Sequence, residues 1–243
     1  MSYFITAERQ LLLSAELASA RTPAAFAQAL ERTSTAFGFS HGALMSAPVS
    51  EDSMLTPLII EGSLPPQFLR DFDRHQLLRS CPMLIRVRNS VLPRPWHLLE
   101  KGDVQNMELP RELRTVLTSY NCPMGILIPV NGADGQRLIF WFMGNRSSLG
   151  QSELNELTMI MLQAQDTYNT IKRNDGSVPH MLSARELEVV RWTAQGKTSV
   201  EIGQILSLSD HTVNAYMTNA IKKLDCVNRT QLVAKAIRLK LIS

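Results

Sequence analysis

The segment from Leu182 to Leu241 admits few folds. Ser183-Ala-Arg-Glu186 has the spacing of a capping box, in which a Ser hydroxyl and a Glu carboxylate satisfy amide groups of a helix's first turn. Leu187, Val190 and Ala194 follow at helical spacing with Trp192 beside them, and Gly196 can end that helix in a left-handed conformation without a Cβ penalty. A second helix is predicted over Val200 to Leu206, with Ile202, Ile205 and Leu206 on one side. After a break at Ser207-Leu-Ser209 a third is predicted over Thr212 to Leu224, capped by Ser209 or Asp210 and burying Val213, Met217, Ala220, Ile221 and Leu224. A fourth, Thr230 to Leu239, closes the bundle with Leu232, Val233, Ala236 and Ile237. The two middle helices and their tight turn form a helix-turn-helix.

The remaining face of the third helix carries Asn214, Tyr216, Thr218, Asn219, Lys222 and Lys223. Amides and hydroxyls suit base edges in a major groove, and lysines suit phosphates. Such helix pairs also occur in bundles that bind no nucleic acid, but here caps, turn and polar face all agree. Charge points the same way. From Ser177 onward there are nine Lys or Arg against five Asp or Glu, whereas the preceding 176 residues carry sixteen against seventeen. A basic module on a near-neutral body is the electrostatic footprint of a nucleic-acid binder.

Leu182-Ser-Ala-Arg-Glu186, Trp192-Thr-Ala-Gln-Gly-Lys-Thr198, Glu201-Ile202, Thr212-Val213, Lys223-Leu224, Asn228-Arg229 and the closing Ala236 to Ile242 resemble the four-helix DNA-binding domain of the LuxR family of transcriptional regulators. Glu186 and Gly196 occupy the family's signature acidic and glycine positions, and Val190 replaces the usual Leu. By position on the third helix Asn214 and Thr218 are expected to meet base edges, with Thr212 on the same helix, and Lys197, Thr198, Lys222, Lys223 and Arg229 are expected to hold phosphates.

The rest of the chain, at 243 residues in all, is long enough for a second domain with its own core. It contains no run of 18 apolar residues, and Met1-Ser-Tyr-Phe4 does not begin a secretion signal, so a cytoplasmic protein with no membrane partner is expected. Cys81, Cys122 and Cys226 are odd in number and far apart, and read as reduced thiols. Helical periodicity covers Ala7 to Ala20 and Pro23 to Phe37, with Thr22 a plausible cap. Strands are predicted at His41 to Ser46 and Pro57 to Glu61, and a hairpin at Gly125 to Val130 and Gln136 to Met143 around the turn Asn131 to Gly135. Further helices are predicted at Pro66 to Leu77, Pro82 to Asn89, Pro110 to Tyr120 and about Gly150 to Lys172. The fold class expected is therefore α/β plus all-α: an N-terminal α-β-α sandwich of the PAS or GAF sensor kind over 1–172, a linker over 173–181, and the four-helix helix-turn-helix domain over 182–243. The long helix from Gly150 is read as a dimer contact, a cover for the sheet, or both.

In LuxR-type receptors the N-terminal domain binds an N-acyl-homoserine lactone, and the resemblance extends, more thinly, to that pocket. The family's first Trp position is Phe68 here and its Tyr position is Phe72; the Asp of its Asp-Pro pair is Cys81, followed by Pro82. The next Trp is retained as Trp96, the signature Gly as Gly125, and Trp141 stands at a further, usually polar position. The resemblance implies that the missing carboxylate would have accepted the ligand amide N–H, the missing Tyr hydroxyl would have met the acyl carbonyl, and the Trp96 indole donates to the lactone carbonyl. A thiol is a weak acceptor and phenyl none. Losing the charged acceptor costs on the order of 2 to 4 kcal/mol, roughly 30- to 1,000-fold in affinity. A ligand more apolar than the usual signal, or held differently, is expected. The plainest role of Phe68, Phe72 and Trp141 is core packing, that of Cys81 a small buried hydrophobe rather than a redox sensor, and that of Trp96 a lid on the pocket. The arginines of Arg86 to Arg94 read as a solvated face.

No catalytic constellation is legible. The five histidines are scattered without metal-ligand spacing, and there is no phosphate loop, nucleophile elbow or dinucleotide fingerprint. The reading is a homodimeric, non-enzymatic regulator that binds double-stranded DNA, without a cofactor and with an N-acyl-homoserine lactone or similar small-molecule signal as its ligand. Alternatives left open are a ligand-independent regulator, a protein that silences another LuxR-type regulator by heterodimerising, and a small-molecule sensor acting through a protein partner.

Overall fold

A computed structural model describes residues 2–88, 90–99, 109–132, 136–174, 182–239 and 241–242, with backbone alone for 2–7 and 173–174. The chain divides into two compact units, one ending at Ile171 and the other starting at Lys172.

The N-terminal unit begins with helices α1 (Ser2–Ser19) and α2 (Pro23–Ala36), the latter capped by the Thr22 side chain, which accepts from the Ala25 amide. Strand β1 (His41–Ser46) leads through a 3₁₀ turn to β2 (Ile59–Gly62). The strand expected from Pro57 therefore starts two residues later, because Pro57 and Leu58 belong to that turn. Helices α3 (Pro66–Arg74), α4 (Leu77–Ser80) and α5 (Pro82–Arg88) follow. The single helix expected over Pro66 to Leu77 is broken at Gln76, which is left-handed at φ 50°. Strand β3 (Arg94–His97) was not expected from the sequence: with Pro95 inside it and only four residues it lacks a strand's signature, and Arg94 belongs to it. Helix α6 (Arg111–Ser119), strands β4 (Met124–Asn131) and β5 (Arg137–Gly144) and the long α7 (Gln151–Asn174) complete the unit. Residues 133–135 of the expected hairpin turn and 175–181 of the expected linker lie outside the described residues; α7 takes Arg173 and Asn174 of that linker into helix.

The strands form one antiparallel sheet in the order β2-β1-β5-β4-β3. Its pleat sorts the chain. Ala43, Met45, Leu127, Ile139, Trp141 and Met143 face a core with α3 to α6, while Leu44, Ile126, Ile128, Phe140 and Phe142 face another with α1, α2 and α7. Covered on both faces, β4 and β5 read as unbroken apolar runs rather than as alternations. Among the described residues no helix is long and apolar enough to cross a membrane.

The C-terminal unit holds α8 (Ala184–Ala194), α9 (Ser199–Leu206), α10 (Asp210–Lys223) and α11 (Arg229–Arg238) around Val189, Val190, Ile202, Val213, Met217, Ala220, Leu224, Leu232 and Ala236. Ser183 and Glu186 make the expected capping box, and Gly196 is left-handed at φ 82°. Thr198 and Glu201 make a second box with the same spacing, and Ser209 caps α10. Three positions expected inside face solvent. Ala194, Ile205 and Ile237 are exposed, because α8 turns Val189 inward instead and because α9 and α11 are short helices whose one buried stripe is filled by Ile202 and by Leu232 with Ala236.

Candidate functional site

The core beneath α3 to α6 gathers every residue expected around a ligand except Pro82 and Gly125, which border it. Phe68 and Phe72 on α3 are fully buried, their rings 5.8 Å apart. Trp141 on β5, 1% exposed, meets both edge-on at 6.0 and 6.1 Å. Tyr120 closes the group from the other side, edge-on to Phe68 at 5.4 Å, and its hydroxyl donates to Asp71 Oδ2 at 2.7 Å. That hydrogen bond holds the Asp71 carboxyl below its ordinary range. Cys81 is 1% exposed, and burial pushes its thiol up to about 11, so it remains protonated, with Met83 Sδ at 4.0 Å. Pro82, half-buried, opens α5.

Trp96 reaches this core from β3. It pairs with Gly125 of β4, and its ring lies flat against the space where a side chain there would stand: a Cβ on Gly125 would come within 2.4 Å of Trp96 Cζ2 and 2.7 Å of the Phe142 carbonyl oxygen. Only glycine leaves that seat open. Trp96 is 3% exposed, and among the described residues neither its Nε1 nor that of Trp141 has a hydrogen-bond partner. Buried donors left unsatisfied are uncommon in native proteins. The site residues fall on α3, the α4–α5 junction and three strands, so spacing along the chain could not have assembled them.

In the C-terminal unit α10 presents Asn214, Thr218, Asn219 and Lys222 to solvent. The Asn214 Oδ1 accepts from the Ser199 hydroxyl at 2.7 Å, fixing the side chain against α9, and the Thr218 hydroxyl donates back to the Asn214 carbonyl at 2.9 Å. Tyr216, expected on that face, is half-buried against the core. Lys197 lies 3.5 Å from Glu201, and Arg229 donates to the Lys197 carbonyl at 3.1 Å, so these two cations are held together at one end of the unit. Three residues expected at DNA are engaged elsewhere. The Thr198 and Thr212 hydroxyls belong to the caps of α9 and α10. Lys223 Nζ sits 2.7 Å from the buried Glu186 carboxylate. Sequence reasoning missed that last pair because 37 residues separate its members.

Residues 22–168 match the autoinducer binding domain family and residues 180–236 the family described as bacterial regulatory proteins, luxR family. The transcriptional activator protein BjaR1 of Bradyrhizobium diazoefficiens is 26% identical over 215 residues, covering 88% of each chain. The regulatory protein SdiA of Escherichia coli is 42% identical over 90 residues, 36% of this chain and 38% of its own. The crystal structure of Escherichia coli SdiA shares the fold with a TM-score of 0.75 at 24% identity, covering 99% of both chains. The chain belongs to the LuxR family: it is a DNA-binding transcriptional regulator of the quorum-sensing type, and not an enzyme.

Proposed function

We propose that the N-terminal unit binds an acyl signal, an N-acyl-homoserine lactone or a more apolar relative, inside the aromatic cluster, and that a homodimer acting in the cytoplasm carries this information to a two-fold symmetric DNA site. The observation that carries the ligand half is the pair of buried indole N–H groups of Trp96 and Trp141 without an acceptor among the described residues. A sheet covered by helices on both faces suits a sensor of the PAS or GAF kind, with the ligand held between sheet and helices. In the DNA half α10 enters a major groove, Asn214 and Thr218 read base edges, and Lys222, Lys197 and Arg229 hold phosphates. Lys223 we assign to the fold rather than to DNA, since Glu186 already takes its charge.

One observation favours a second reading. Phe68 meets Tyr120 and Trp141 edge-on and Phe72 meets Trp141 edge-on, so these rings pack directly on one another, as they would in a receptor that folds and acts without ligand or by pairing with another family member. Thermal unfolding of protein expressed without lactone, against N-acyl-homoserine lactones of graded chain length, separates the two. A midpoint raised by several degrees by one chain length supports the ligand reading, since a ligand that binds only the folded state stabilises it by mass action; a soluble protein whose midpoint none of them moves supports the second.

A further inference from the structure

Apart from the Tyr120 hydroxyl, which is bonded to Asp71 at the rim, the polar groups of the aromatic cluster are of one kind. Trp96 and Trp141 each bury an indole N–H, which donates and cannot accept. The buried polar side chains of the N-terminal unit, among the described residues, are Thr33, Ser34, Ser90, Glu156 and Gln165. None faces this cluster. Thr33 and Ser34 donate to carbonyls of their own helix, and Ser90 accepts from the Leu92 amide. Glu156 pairs with Arg9, and Gln165 donates to the Asn131 carbonyl, both on the other side of the sheet. Asp71, at the rim, accepts from Tyr120 and Gln67. Cys81 is a protonated thiol in contact with Met83. Apart from the Tyr120 hydroxyl and the Asp71 carboxylate, which are bonded to each other at the rim, the side chains around the cluster therefore offer two N–H donors and no oxygen acceptor.

The two donors stand on the same face of the sheet. Trp96 is opposite Gly125, and Trp141 is opposite Leu127, two residues along β4 and on its other flank. At ordinary strand spacing and rise their Cα positions are about 12 Å apart, with Gly125, which carries no side chain, and Leu127 of β4 between them on the same face. Both rings belong to the one core that holds Phe68 and Phe72.

We propose that the site is selective for an acyl ligand whose polar atoms are acceptors only, an ester or ketone rather than an amide, with the Trp141 indole N–H as the specificity-determining donor to its chain carbonyl and the Trp96 indole serving the other oxygen. The inference rests on the reading that this cluster binds an acyl signal. An amide ligand brings an N–H of its own, which finds no side-chain acceptor here beyond the Tyr120–Asp71 pair at the rim, and leaving it unsatisfied weakens binding about tenfold.

Calorimetric titration of the full-length protein with three compounds tests this: N-octanoyl-homoserine lactone, the octanoyl ester of α-hydroxy-γ-butyrolactone, and the corresponding octyl ether. The ester is expected to bind about tenfold tighter than the amide, and tighter than the ether by a similar factor. Trp141→Phe should bring the ester-to-ether ratio close to one while leaving the ester-to-amide ratio in place, because lost packing weakens all three compounds alike. Trp141→His, which keeps a ring N–H, should retain part of the ester-to-ether ratio and gives the same comparison if the Phe variant does not fold. An amide that binds as tightly as the ester overturns the acceptor-only assignment while the acyl-ligand reading stands. An ester-to-ether ratio unchanged in Trp141→Phe, or in Trp141→His equal to that of a protein without the donor, removes Trp141 from its role. Failure of all three compounds to bind the wild-type protein overturns the acyl-ligand reading and this proposal with it.

Discussion

Glu186 on α8 and Lys223 on α10 meet at 2.7 Å, the carboxylate side chain 5% exposed and the ammonium 34%. The same carboxylate accepts from the Ser183 amide at 2.6 Å, so one group caps the first helix of the DNA-binding unit and ties it to α10. Burial pushes the Glu186 carboxyl up, and the hydrogen bonds from Lys223 and Ser183 more than offset that, leaving it below its ordinary range.

A depressed carboxylate contributes stability above its unfolded value of about 4.3 and loses it as pH falls through the lower folded value. The C-terminal unit should therefore lose stability in acid below about pH 4, and Glu186→Gln should flatten that part of the profile. Lys223→Met leaves a buried charge without its partner and should cost about 2 kcal/mol near neutrality. Chemical denaturation as a function of pH measures both; a Lys223→Met protein as stable as wild type contradicts the assignment.

Gly125→Ala should disturb the ligand site more than its added methyl suggests. The new Cβ meets the Trp96 ring and the Phe142 carbonyl, and the backbone oxygen cannot yield as a side chain can. A loss of about 1 to 3 kcal/mol in folding stability, with a shift in tryptophan emission, is the expected result; an unchanged emission spectrum shows that Trp96 does not lie on Gly125.

Much of the C-terminal unit was legible because its signals are local. Caps, turn residues and a stripe at helical spacing lie within a few residues of one another, so Ser183, Gly196 and Ser209 stand where expected. The second capping box, Thr198 with Glu201, has the same spacing as the first and was readable, but Thr198 was expected at phosphate instead. The N-terminal unit was legible in its strands and helices but not in its sheet order. Strand β3 hides behind Pro95, and the break at Gln76 needs a left-handed glutamine that no local pattern predicts. The ligand cluster could be named only through resemblance, since its members come from five elements or junctions, and only the structure brings Tyr120 and its Asp71 bond against Phe68.

Gly203→Ala should loosen the turn between α9 and α10. A Cβ there would stand 2.6 Å from the Leu208 carbonyl oxygen, in the turn closed by the hydrogen bond from the Leu208 amide to the Gly203 carbonyl. The expected cost is about 1 to 3 kcal/mol, read by thermal unfolding of the C-terminal transition, with weaker DNA binding where α10 shifts. A variant with wild-type unfolding and DNA affinity contradicts the close approach.

On DNA, Asn214→Ala and Lys222→Ala should fail differently. The first should cost about 1 to 3 kcal/mol on the preferred sequence and relax discrimination at one base pair. The second should weaken every sequence alike and lower the salt slope by about one. Titrations on specific and random duplexes at several salt concentrations distinguish them; equal losses on both duplexes for both variants remove Asn214 from base reading.

The most direct test of the central claim uses the three tryptophans of the chain as reporters. In a nitrogen-15 correlation spectrum of the full-length protein, with each indole peak assigned by a Trp→Phe variant, a bound acyl ligand should move the Trp96 and Trp141 N–H resonances downfield as both gain an acceptor. Trp192, in the DNA-binding unit, should respond far less. Saturating ligand that leaves the Trp96 and Trp141 resonances where they stand in the free protein would contradict the account.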